Sequence, residues 1–315
     1  MNSLRRSDAA LLVFLAVLAA GAFAMPSWLM SLTAVALAKG LVALGLLLLL
    51  RSGLVPFGHA LYYCLGGYAA GLGTAWLGIK DTLLLLALAC AVSGAVAFVA
   101  GFLMRRYRGI FFAMLSMALS MILYGVLLKS QSLGSTDGFS VARASFFGSQ
   151  TSGIGAIQSV YLLTAGVTLA TAWGVSRYLN TAMGHIGPAI RENEVRVEYL
   201  GYSPRVLIHR EYTLSGAFAG GAGALVAILV GQVDPGMGFW MTSGEFVFIA
   251  ILAGAGGIWG SLAAAFVLEA VHALAFEYAP QYWKFVLGGT LLLLIVRFPA
   301  GLSSILKKYV RKAGP

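Results

Sequence analysis

From Ala9 to Phe298, apolar runs of helix-spanning length follow one another with few polar interruptions. The hydrocarbon core of a bilayer, about 30 Å thick, takes about 20 apolar residues per helix. Marked by apolar length and polar breaks, the runs predict about ten spans, at 9–24, 29–50, 56–78, 82–104, 110–128, 159–177, 212–231, 245–257, 260–278 and 282–298. In lipid only helices and closed barrels satisfy the backbone, and the short alternating segments of a barrel are absent. The predicted fold class is all-α, a polytopic transmembrane helical bundle forming a single domain over residues 1–315. Pro56 predicts the start of the third span, since proline suits a first helical turn. The eighth and ninth spans are short and joined by Gly254-Ala255-Gly256-Gly257-Ile258-Trp259-Gly260, so the stretch 232–260 can instead form broken or re-entrant helices. Arg5 and Arg6 ahead of an apolar run look like a signal peptide. The next span begins almost at once and no Ala-x-Ala-like site precedes it, so a retained first helix is expected.

Two stretches break the apolar pattern. One, residues 178–211 with Arg177 at its edge, concentrates charge: Arg191, Glu192, Glu194, Arg196, Glu198, Arg205, Arg210 and Glu211. The other, 129–158, is rich in Ser, Gly and Thr and carries Gly134-Ser135-Thr136-Asp137-Gly138-Phe139. With ten spans both termini share a side, and that side holds 16 of the 21 lysines and arginines. The opposite side holds Lys80, Lys129, Arg143 and Lys284, and Lys39 falls within a span. The positive-inside rule then places both termini and the 178–211 loop in the cytoplasm and the 129–158 loop outside.

Composition sharpens this picture. Hydrophobic residues make up 60% of the chain and charged ones 10%, which leaves no room for a separate soluble domain. The net charge of +10 follows from topology and calls for no nucleic acid. Many of the 40 glycines are paired inside apolar runs, as at Gly66-Gly67, Gly220-Gly221, Gly256-Gly257 and Gly288-Gly289. Small residues of this kind let helix backbones approach closely where lipid gives no hydrophobic drive for association. Cys64 and Cys90 lie inside spans and read as small core residues. No His-Glu-x-x-His, nucleophile elbow or Cys/His metal spacing occurs, so no enzyme site or metal centre is expected. No Walker A sequence occurs either, so ATP is not bound by that route.

Within the charged loop, residues 187–201 read as one short helix. Pro188 suits its first turn, Glu192 and Glu194 lie toward its N-terminal half, and Gly201 suits the position just past its end. Glu192 and Arg196 stand four apart in the favoured order. Ile190, Val197 and Leu200 supply an apolar stripe. Such a helix suits a groove on a cytoplasmic partner. The bland alternative is an interfacial helix lying on headgroups, which its balanced charge disfavours.

Ala189-Ile190-Arg191-Glu192-Asn193-Glu194, then Gly201, then Leu214-Ser215-Gly216-Ala217-Phe218-Ala219-Gly220-Gly221-Ala222-Gly223-Ala224-Leu225, resembles the branched-chain amino acid permease family of ABC importers, LivM-like members above all. Phe57-Gly58-His59-Ala60 with Gly66-Gly67-Tyr68 is similar to the family's Ser-Leu-Gly-His-Ala and Gly-Ala-Tyr region. Arg106-Tyr107-Arg108-Gly109-Ile110-Phe111-Phe112-Ala113, Ser135-Thr136-Asp137-Gly138 and the glycine repeat at 254–260 follow in the family's order. The chain departs at Pro56, where serine is usual, at Ala253 and Ser261 around the glycine repeat, and at His209-Arg210-Glu211-Tyr212, unusually polar just before a span.

The resemblance implies a permease subunit in the bacterial inner membrane that translocates a small polar solute, branched-chain or other amino acids first. It implies a second homologous, LivH-like permease subunit, two cytoplasmic ATPase subunits that bind ATP and Mg, and a periplasmic binding protein. Pro188, Ala189, Ile190, Arg191, Glu192, Asn193, Glu194 and Gly201 would couple to the ATPases. Gly58, His59, Thr136, Asp137 and Gly138 would lie along the solute path. Ionisable residues inside a membrane are functional candidates by default, which adds Lys39, Glu245, Glu269 and His272, with structural pairing as the alternative. Glu269 and His272 are three apart and could pair with each other or with Lys39. Urea, short amides and small carboxylates are alternative cargoes, and an ion-coupled secondary transporter is the alternative mechanism.

Overall fold

The computed structural model describes residues 2–141, 145–146, 149–150, 153–254, 257–278 and 280–297. Among these residues the chain forms α1 (Asn2–Ala24), α2 (Ser27–Arg51), α3 (His59–Ala75), α4 (Thr82–Met104), α5 (Gly109–Lys129) and α6 (Ile154–Leu179). There follow α7 (Ala182–Glu192), α8 (Glu194–Tyr199), α9 (Pro204–Val230), α10 (Trp240–Ala253), α11 (Ile258–Tyr278) and α12 (Trp283–Arg297). Strands are two residues long: β1 (Phe139–Ser140) pairs antiparallel with β4 (Gln232–Val233), and β2 (Ser145–Phe146) with β3 (Ser149–Gln150). The fold is all-α in substance.

Each of the ten apolar runs meets a helix, but among the described residues only six helices are long and apolar enough to cross a membrane: α2, α4, α5, α6, α9 and α11. The other four fall short. Helices α3, α10 and α12 have 17, 14 and 15 residues, and the apolar part of α1 covers Leu11–Ala24. The count of about ten is thus not reached on length and composition. Of the glycine stretch at 254–260, residues 255 and 256 lie outside the described residues, as do Arg143 and the basic C-terminal residues. Gly254, with φ at +66°, ends α10, and α11 starts at Ile258.

Two element starts differ from the sequence reading. Helix α3 begins at His59, three residues after Pro56, because the chain first turns at Gly53, whose φ of +79° suits glycine. Helix α9 begins at Pro204, in the first-turn position, so His209, Arg210 and Glu211 lie inside the helix and not ahead of it. The helix tolerates them because Glu211 finds donors and His209 packs between aromatic rings.

The bundle is organised around α2 and α9. The most apolar stretch of α2 is 89% buried, against 22% for α4 and for α5, whose outward faces carry exposed Phe98, Val99, Ile110 and Phe111. Helix α9 packs against α2, α3 and α4, and α2 also against α6 and α11. Small residues make this possible. Gly66 of α3 and Gly220 of α9 meet backbone to backbone, and Gly223 lies against the Tyr63 carbonyl with no space for a side chain. Around these contacts Leu41, Tyr62, Tyr212, Leu225 and Phe246 form a continuous buried core.

Candidate functional site

The charged loop folds as two helices and not as one. Thr181 caps α7 by accepting from the Gly184 N–H at 3.3 Å, seven residues before Pro188, which therefore sits inside the helix. Proline has no N–H to donate there, so α7 lacks the ladder bond from position 188 back to Gly184. At Asn193 the backbone turns extended (φ −159°, ψ 100°), and the Asn193 side chain accepts from the Arg196 N–H at 3.0 Å, ending one helix and starting the next. Glu192 and Arg196 accordingly lie on different helices. At the far end Gly201 has φ +84°, its N–H donates to Glu198 O at 2.9 Å and the Tyr202 N–H to Val197 O at 3.3 Å. That paired bonding is a Schellman cap.

The expected apolar stripe is divided. Ile190 and Val197 are buried in the main core beside Leu54, Met104 and Leu207, which anchors both helices to the bundle. Leu200 faces out with Val195 and Tyr199, the last 88% exposed. Glu194 turns back to the bundle: Arg108, just ahead of α5, donates from Nε to Oε2 at 2.9 Å and from Nη2 to Oε1 at 2.7 Å. This fork geometry is the strong form of a charge-assisted pair. Arg191 and Glu192 stay exposed, the Arg191 stem lying over Gly53.

Three of the intramembrane candidates come together. Lys39, midway along α2, has its Nζ 3.2 Å from Glu245 Oε2 on α10 and 2.7 Å from Glu269 Oε2 on α11. All three side chains are nearly enclosed, at 11–16% exposed. A lone charge at the centre of a spanning helix is costly, so mutual pairing explains how α2, α10 and α11 carry them. His272 stands apart, its ring 5.0 Å from that of Trp283 on α12. Glu269 pairs with Lys39 and not with His272.

The remaining path candidates lie elsewhere. Gly58 abuts the Ser116 backbone of α5, and buried His59 shares a 2.6 Å hydrogen bond between Nε2 and Ser215 Oγ on α9. Tyr62 donates to the Tyr212 hydroxyl at 2.9 Å beside it. Thr136 and Asp137 are exposed, and Gly138 turns at φ +67° against the Val233 carbonyl. Gln232 Nε2 donates to Asp137 O at 3.1 Å, fastening the loop to the end of α9. The sequence-named path residues therefore occupy four separate places: the Lys39 cluster, His272, Gly58 with His59, and 136–138. Among the described residues no cluster of His, Cys, Asp or Glu could hold a metal ion.

A family profile described as "Branched-chain amino acid transport system / permease component" matches residues 28–296. The chain belongs to this family. It is similar to the high-affinity branched-chain amino acid transport system permease protein LivM of Escherichia coli, with 27% identity over 273 residues, covering 80% of this chain and 64% of the relative. LivM of Salmonella typhimurium matches to the same extent. BraD of Pseudomonas aeruginosa, a permease protein of the same description, is 24% identical over 264 residues, covering 79% of this chain and 86% of that one. The chain thus spans under two thirds of the length of its LivM relatives. No solved structure matches it.

One cluster escaped the sequence reading. Glu211, only 2% exposed, accepts from Ser52 Oγ at 2.7 Å and from the Tyr178 hydroxyl at 3.1 Å. Ser52 closes α2 and Tyr178 lies in the last turn of α6. Gly187 of α7 packs onto the same spot, where a Cβ would stand 2.9 Å from Ser52 Oγ and 3.8 Å from Glu211 Oε1. The signal was the polar run His209-Arg210-Glu211 inside an apolar pattern, but its partners are far away in sequence. The His209 ring nitrogens meet no hydrogen-bond partner among the described residues, and the ring lies 4.5 Å and 4.8 Å, centroid to centroid, from those of Phe102 and Phe98.

Proposed function

We propose that this chain is a transmembrane permease subunit of a bacterial ABC importer that moves branched-chain or other amino acids inward. The observation that carries the reading is the capped two-helix unit α7–α8, which is joined to the bundle by Ile190 and Val197 and presents Arg191, Glu192, Val195 and Tyr199 outward. Membership of the branched-chain amino acid permease family and the relatives named LivM and BraD support the cargo class. In this reading the whole chain is one permease domain in the inner membrane with both termini cytoplasmic and ten crossings. A second homologous permease subunit completes the pathway, a periplasmic binding protein delivers the solute, and two cytoplasmic ATPase subunits hold ATP and Mg. Closure of the ATPases pushes on α7–α8, and the bundle answers with a two-state change of packing.

Uptake in proteoliposomes holding the whole complex tests this. Import should require ATP inside; import that collapses with an uncoupler yet ignores ATP depletion would overturn the reading. Replacing Arg191 and Glu192 together by Ala should abolish or strongly reduce ATPase association or uptake while the chain still inserts. The ion-coupled alternative rests on the Lys39–Glu245–Glu269 cluster, and the same uncoupler experiment decides between the two.

A further inference from the structure

The cytoplasmic ends of three bundle helices and one face of α7 converge on a single carboxylate. We infer that Glu211 is a positioning residue that locks α7 to α2, α6 and α9, so that a push on α7 moves the three helices together. This rests on the coupling role proposed for α7–α8.

The argument starts from what each partner contributes. Ser52 is the residue on which α2 ends, and its hydroxyl donates to Oε2 of Glu211. Tyr178 reaches from the last turn of α6 to donate to Oε1. Glu211 itself belongs to α9, two turns from its start at Pro204. One carboxylate therefore joins three helices by two hydrogen bonds, one to each oxygen. A carboxyl group that is 2% exposed cannot exchange these donors for water.

Helix α7 seats on this junction through a glycine. Gly187 leaves no side chain between the α7 backbone and Ser52 Oγ, and nearby Gly53 takes the stem of Arg191 against its own Cα, where a Cβ would stand 3.0 Å from Cγ. Gly184 lies against the backbone at Tyr178 and Leu179, so the first turns of α7 are fixed to the end of α6 as well. Ile190 adds an apolar plug in the core. Contacts this close leave α7 no room to slide without displacing Ser52, Tyr178 or Glu211.

Removing the carboxylate should loosen the junction while the capped α7–α8 unit keeps its outward face. Glu211→Met keeps the length and apolar fit and removes both acceptors; Glu211→Gln keeps one carbonyl acceptor and adds a group that can donate to the Tyr178 oxygen. In proteoliposomes containing the full complex, ATP hydrolysed per solute imported is measured for each. The expected result is a rise of about tenfold in that ratio for Glu211→Met, within the range of energetic coupling carried by single residues, and near-normal coupling for Glu211→Gln. ATPase activity and uptake falling in parallel, or an unchanged ratio, would overturn the inference. Tyr178→Phe, which removes one donor and no framework volume, should raise the ratio in the same direction, and it decides the matter should Glu211→Met fail to assemble. Failure of the coupling reading itself looks different, because the unmodified complex would then show no ATP-dependent uptake at all.

Discussion

Lys39 is the residue on which the interior electrostatics turn. It faces two carboxylates, Glu245 and Glu269, at 3.2 and 2.7 Å. Removing one member of a buried ion cluster leaves the others uncompensated, at about 3–5 kcal/mol. Lys39→Met should therefore lower the unfolding temperature of the detergent-solubilised chain sharply. The triple change Lys39→Met, Glu245→Gln, Glu269→Gln should recover most of the loss; no recovery would show that the lysine acts by shape and not by charge. All three residues were legible in the sequence as charges inside apolar runs. The pairing of Lys39 with Glu269 was among the sequence alternatives; the approach of Glu245 was not, because Lys39 and Glu245 are 206 positions apart and nothing local records the meeting. Glu211 was less visible still, lying near other charges at the edge of a loop, with Ser52 159 positions away.

Among the elements, α9 shows how glycine placement sets helix spacing. A Cβ at Gly223 would overlap the Tyr63 carbonyl of α3, whereas a Cβ at Gly174 on α6 would meet nothing within 4 Å. Gly223→Ala should cost about 1–3 kcal/mol through forced separation of the two helices. Gly174→Ala should be neutral or slightly stabilising, since glycine weakens a helix interior by about 0.5–1 kcal/mol relative to alanine. Thermal unfolding of both variants checks the contrast, and equal behaviour would deny that α3 and α9 touch here. The apolar runs located these helices well, for hydrophobic length is a local property. Helix edges were read less well. Pro188 marked a start by propensity, yet Thr181 supplied the cap first, and Asn193 divided what looked continuous.

For the whole molecule, the proposed ten crossings require the short helices α1, α3, α10 and α12 to cross beside the six that are long enough. That proposed arrangement, with both termini cytoplasmic, would put Ser132 outside and Tyr199 inside. With Cys64 and Cys90 changed to Ser, Ser132→Cys should react with a membrane-impermeant maleimide in intact cells. Tyr199→Cys should react only after the membrane is opened; labelling of both from outside would refute that arrangement. The capping of α7–α8 has a consequence for assembly. Thr181, Asn193 and the Schellman turn at Gly201 satisfy the ends of both helices inside the chain. The unit is therefore ordered before any partner arrives, and an arriving subunit spends no binding free energy on folding it. Association at this surface should then behave as the meeting of two rigid bodies, with affinity set by the side chains presented and hardly by temperature-dependent ordering of the loop.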